Sequence, residues 1–184
     1  MILFIHGFGS SGEAFKAKLV KEYFKKEGVL APSLSYVPDL AIKTLKEMIE
    51  VLGKREKIKL MGSSLGGYYT LYLAEIFNLK AVLINPAVNA NKTLKKAIPQ
   101  GITYFDESHF EWNENHVKML DKYEISPSNQ SNLLLMLQKG DEVLDYKEAL
   151  DKLPLAELII EEGGNHHFDG FAKYLEDIEK FLNS

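Results

Sequence analysis

The chain contains no cysteine, which excludes disulfides, thiolate nucleophiles and cysteine-ligated zinc or iron–sulfur centres. No secretory leader is expected either: Met1 to Gly7 carries no basic stretch, and its apolar run is too short for a signal core. No later apolar run could span a bilayer, so no membrane insertion is expected, and the location expected is cytoplasmic. Excess positive charge is lacking too. The formal net charge of −4 leaves no electrostatic footprint for nucleic acid. What remains is an ordinary globular composition over 184 residues, which suits one domain spanning 1–184 with a single well-buried core.

Short apolar runs alternate with amphipathic stretches along this length. Met1 to His6, Val29 to Leu34, Lys57 to Met61, Lys80 to Asn85, Asn132 to Gln138 and Glu157 to Glu161 read as strands. Between and after them, Glu13 to Lys26, Leu40 to Leu52, Leu65 to Phe77, Tyr146 to Lys152 and Phe168 to Leu182 have helical spacing. This rhythm predicts an α/β fold with a mostly parallel sheet of about six strands flanked by helices. Ala81-Val82-Leu83-Ile84 and Leu133 to Leu137 are solidly apolar rather than alternating, as strands covered on both faces should be. Reactive groups then belong on the loops beyond the strands' carboxyl ends. The rhythm breaks after the fourth predicted strand. Residues 87–131 offer no convincing strand but several aromatics, Tyr104, Phe105, Phe110, Trp112 and Tyr123 among them. They read as a helical insertion, or a lid over a site.

Gly62-Ser63-Ser64-Leu65-Gly66 follows the third predicted strand and opens a helix. A Gly-x-Ser-x-Gly string arises by chance as well, but this strand–turn–helix setting is the one a nucleophile elbow requires. A serine hydroxyl needs a base, and the base needs an orienting group. Asp141 lies just after the fifth predicted strand and His166 just after the sixth. The chain order serine, aspartate, histidine is that of one hydrolase class. Asp145 on the same loop is the rival acid and His167 the rival base; glycines preceding Asp141 and His166 favour those two. Backbone N–H groups of Leu65, after the nucleophile, and Phe8, on the first strand's loop, are the expected oxyanion donors. His6 reads as an organiser of that loop. Gly7-Phe8-Gly9-Ser10-Ser11-Gly12 also matches the dinucleotide-binding fingerprint, but the second strand ends in Ala31-Pro32-Ser33 with no acid to hold a ribose. Adjacent histidines do not readily chelate one metal, so neither metal nor bound cofactor is expected.

These blocks resemble the α/β-hydrolase superfamily, and more closely its small YqiA-like esterases. The resemblance rests on His6-Gly7-Phe8-Gly9-Ser10-Ser11, Gly62 to Tyr69, Asn85-Pro86-Ala87, Gly140 to Tyr146 and Gly163 to Phe168, in that order. It implies a cofactor-free serine hydrolase acting on small acyl esters or acyl thioesters, with Ser64, Asp141 and His166 as its triad. Residues 87–131 match least. The rival from another class is a noncatalytic binding protein on the same fold.

Overall fold

A computed structural model describes all residues from Met1 to Ser184. In chain order the main elements are β1 (Ile2–Ile5), α1 (Phe15–Tyr23), β2 (Val29–Leu30), α2 (Pro38–Leu52), β3 (Lys59–Ser64), α3 (Leu65–Phe77), β4 (Ala81–Pro86) and α4 (Ala90–Lys95). There follow β5 (Gln100–Ile102), β6 (His109–Glu111), α5 (Glu114–Asp121), β7 (Leu133–Gln138), α6 (Tyr146–Lys152), β8 (Glu157–Glu161) and α7 (Leu175–Asn183). Six strands form one sheet in the order β2-β1-β3-β4-β7-β8, and every pairing in it is parallel. This is the α/β-hydrolase fold.

Burial on both faces accounts for the unbroken apolar strands. Leu3, Ile5, Leu60, Leu83, Leu135 and Leu137 face one core, with α2, α3 and α6. Ile2, Phe4, Met61, Val82, Ile84 and Met136 face the other, with α1 and α7. Buried Leu175, Ile178, Phe181 and Leu182 give α7 one apolar side, so it seals that second core.

Two sequence expectations change. The second strand stops at Leu30 instead of Leu34, because the residues beyond it bond to the β1 loop rather than to a ladder. Gly12 N–H donates to Ser33 Oγ at 3.1 Å, Leu34 N–H donates to His6 Nε2 at 2.9 Å, and Pro32 has no N–H to offer. The insertion is not only helical: between α4 and α5 lies an antiparallel hairpin, β5–β6.

The chain moves outward from β1 to β2 and then crosses back to place β3 on β1's other side. That reversal opens a crevice at the carboxyl ends of β1 and β3, where open parallel sheets present their sites. No helix is long and apolar enough to cross a membrane.

Candidate active site

Ser64 ends β3 and Leu65 begins α3, with no loop between them. So abrupt a turn puts Ser64 at φ 56°, ψ −122°, a conformation costly for any residue with a side chain. Its neighbours show why the turn needs glycines. A Cβ on Gly66 would stand 2.0 Å from the Ile5 carbonyl oxygen, and one on Gly62 would stand 2.1 Å from Thr70 Oγ1. Strand and helix therefore cross closely enough to hold the Ser64 hydroxyl up at the sheet's carboxyl end.

The structure brings the two other expected residues to that hydroxyl. His166 Nε2 lies 3.0 Å from Ser64 Oγ, and His166 Nδ1 lies 2.8 Å from Asp141 Oδ2. An ionised carboxylate can only accept, so Nδ1 carries the imidazole proton and Nε2 is free to accept from the serine. The Asp141 side chain is only 2% exposed. Burial alone would raise its pKa, but the imidazole and the N–H groups of Leu144 and Val143 together hold it below the usual carboxylate value. Both of those N–H groups donate to Oδ1 at 2.8 Å, so Asp141 is pinned as an anion. Neither rival reaches Ser64: Asp145 caps α6 by accepting from Lys147 N–H, and His167 is exposed, with its backbone carbonyl accepting from Lys16 Nζ at 2.7 Å. Burial lowers the Lys16 pKa to about 8, against the opposing pull of the Asp141 charge.

Residues to which the sequence reading gave no role hold the histidine loop. Gln138, fully buried, accepts from the N–H groups of Asn165 and Asp169 at 3.0 and 2.9 Å. Its amide donates to the Asp169 carbonyl at 2.7 Å and to Glu161 at 2.6 Å. Asn85 donates to the carbonyls of Asn165 and His166 at 3.0 and 3.3 Å and accepts from Gln138 N–H at 3.0 Å. Glu142 accepts the His166 N–H at 3.0 Å. A signal for two of these was present: Asn85 and Gln138 are the polar residues closing the two all-apolar strands.

On the other side of Ser64, the β1 loop comes so near that a Cβ on Gly7 would stand 3.1 Å from Ser64 Cβ. His6 organises this loop. Since Leu34 N–H donates to its Nε2, its Nδ1–H donates to the Gly7 carbonyl at 2.8 Å. Burial lowers the His6 pKa, which keeps this neutral tautomer. Phe8 N–H donates to no protein acceptor. Leu65 N–H, first in α3, has no intrahelical acceptor. The hairpin covers the loop from above: Tyr104 N–H donates to the Gly9 carbonyl at 2.7 Å, and Phe8 packs edge-on against Phe110 and Trp112. Beneath it a small cleft is lined by Phe8, Leu34, Tyr36, Leu65, Tyr69 and Phe110. Nowhere do three His, Asp or Glu side chains gather as metal ligands would.

The profile of an uncharacterised protein family, UPF0227, matches residues 1–183. A UPF0227 protein of Vibrio parahaemolyticus is 24% identical over 189 residues, covering 100% of both chains. The UPF0227 protein YcfP of Salmonella paratyphi A is 24% identical over 187 residues, covering 98% of each. Among solved structures, Est1E of Butyrivibrio proteoclasticus with bound ferulic acid superposes with a TM-score of 0.73 at 15% identity, over 99% of this chain and 87% of that one. The esterase Pf2001 of Pyrococcus furiosus gives 0.72 at 20%, over 99% and 81%. Mouse alpha/beta hydrolase domain-containing protein 10 gives 0.72 at 18%, over 99% and 89%.

Proposed function

The chain belongs to the uncharacterised protein family UPF0227, and from that premise and the geometry around Ser64 we propose that it is a serine hydrolase cleaving carboxylic esters or acyl thioesters. One observation carries the reading: the continuous hydrogen-bonded chain from Ser64 through His166 to a buried, anionic Asp141. The names of the structural neighbours, an esterase and an alpha/beta hydrolase domain-containing protein among them, are consistent with it.

In this mechanism Ser64 Oγ attacks the substrate carbonyl carbon while His166 Nε2 takes the hydroxyl proton. The tetrahedral oxyanion is held by the N–H groups of Phe8 and Leu65, which are preorganised because loop and helix fix them before substrate arrives. On collapse the bond to the leaving oxygen or sulfur breaks and His166 hands it the proton. Water, deprotonated by the same nitrogen, then releases the acid from the acyl-enzyme. Asp141 keeps the imidazole in the required tautomer and stabilises its charged form. Segment 87–131 acts as a cap, its hairpin walling the cleft beside the oxyanion donors.

Hydrolysis of p-nitrophenyl esters and acyl thioesters by the native protein and by Ser64→Ala tests this. Turnover that falls by about 10³-fold or more in the variant is expected. Equal rates in both proteins would remove Ser64 as the nucleophile, and turnover in neither would leave the noncatalytic binding protein.

A further inference from the structure

The cleft beside Ser64 has a size, a side and, among the polar groups of His6, Ser10, Ser35, Tyr69 and Thr103 that line it, one hydroxyl on a nearly buried residue that lacks a partner, and together they define what it accepts. Its walls come from the β1 loop, the 34–36 segment, the first turns of α3 and the hairpin. None comes from the histidine loop. On the mechanism proposed above, His166 must deliver a proton to the leaving group, so the leaving group occupies the histidine side of the serine. The acyl portion then turns to the opposite side, into this cleft.

The space is small. It measures about 80 Å³, roughly half the ~150 Å³ of a cavity that admits the six carbons of benzene. Room remains for roughly three groups the size of a methylene, and the boundary is aromatic. Tyr36 and Phe110 stack with ring centroids 4.6 Å apart, while Trp112, fully buried, backs Phe8 at 4.8 Å and is itself tied by its Nε1–H to the Leu94 carbonyl at 2.9 Å.

Tyr69 supplies the polar group. It lines the cleft and is only 3% exposed, yet its hydroxyl has no hydrogen-bond partner in the protein, unlike that of adjacent Tyr68, which donates to the Leu120 carbonyl. Nor is that oxygen among the fully sealed, unpartnered polar atoms, which are Thr70 Oγ1 and Asn165 Oδ1. The sliver of Tyr69 that stays accessible therefore includes its hydroxyl. A nearly buried donor without a partner is costly unless something fills it.

We propose that this cleft is an acyl pocket for a short acyl group, of about two to four carbons, bearing a hydroxyl or keto oxygen that accepts a hydrogen bond from Tyr69. The inference rests on the serine-hydrolase reading. It adds that Tyr36 and Phe110 set the length limit and Tyr69 the preference for an oxygenated chain.

The test compares kcat/KM for p-nitrophenyl butanoate, 3-hydroxybutanoate, octanoate and benzoate, with Ser64→Ala as the baseline. Butanoate should exceed octanoate and benzoate by at least about tenfold, and 3-hydroxybutanoate should exceed butanoate. Tyr69→Phe should lower the rate on 3-hydroxybutanoate about tenfold more than on butanoate. Phe110→Ala should narrow the gap between butanoate and octanoate. Octanoate or benzoate turned over as fast as butanoate would overturn the size limit, and an equal effect of Tyr69→Phe on both short esters would overturn its role. Either result leaves the serine-hydrolase reading standing, whereas no turnover above the Ser64→Ala baseline with any ester removes both.

Discussion

His6 and Asp141 are two buried titratable side chains whose hydrogen bonds fix their charge states in opposite senses, one neutral and one ionised. The His6 pKa is lowered by burial, so the folded protein binds that proton less readily than the unfolded chain. Its contribution to stability is therefore complete above the ordinary imidazole value of about 6.5 and is lost as pH falls below it. Asp141 is also depressed, so its contribution holds above the ordinary carboxylate value of about 3.9 and is lost only as pH falls further. The two windows are separate. Urea unfolding between pH 7 and pH 5 should show stability declining in the native protein and declining less steeply in His6→Gln. Equal slopes would mean that the Leu34–His6–Gly7 bonds do not depend on the imidazole's charge.

The elements around the serine are held apart by less than a methyl group. Gly66→Ala would force a Cβ to within 2.0 Å of the Ile5 carbonyl oxygen, so α3 must shift off β1. Destabilisation of about 2 kcal/mol or more is expected by chemical denaturation, toward the upper range for overpacking. Gly163→Ala is the control. Nothing lies within 4 Å of its Cβ position, and φ is +72°, so it should cost only the left-handed backbone penalty of about 1 kcal/mol. Equal effects would refute the close crossing. Gln138→Met keeps the side chain's length but strips the acceptor from two N–H groups of the histidine loop. It should destabilise by about 1–3 kcal/mol and reduce kcat more than KM changes, as ester kinetics would show; unchanged kcat would mean the loop is held without Gln138. The major elements were legible in the sequence because their apolar periods are long. The hairpin was not. Gln100-Gly101-Ile102 and His109-Phe110-Glu111 are three residues each and pair only with each other, too short to show a period and outside the main sheet. Gln138 showed in the sequence only as the polar residue closing an apolar strand; its role was hidden because it satisfies backbone groups 27 and 31 positions away, which no local pattern encodes.

At the scale of the molecule, a serine, an aspartate and a histidine 102 positions apart at the extremes meet because the sheet is parallel and all its carboxyl ends lie on one side. The sequence already implied this meeting: each of the three residues follows a recognisable strand, and strands linked by helical crossovers must run parallel. Their hydrogen-bond geometry was not implied. It depends on the clamp from Asn85 and Gln138 and on the hairpin laid over the β1 loop. The account's central claim is that this convergence makes Ser64 a nucleophile, and the most direct measurement is intact-mass and peptide-mass analysis after exposure to a fluorophosphonate. One adduct per chain, located on Ser64 and absent from Ser64→Ala, is the predicted result, with labelling slowed in His166→Ala. A native protein that stays unlabelled, or that labels equally well without His166, would contradict the account.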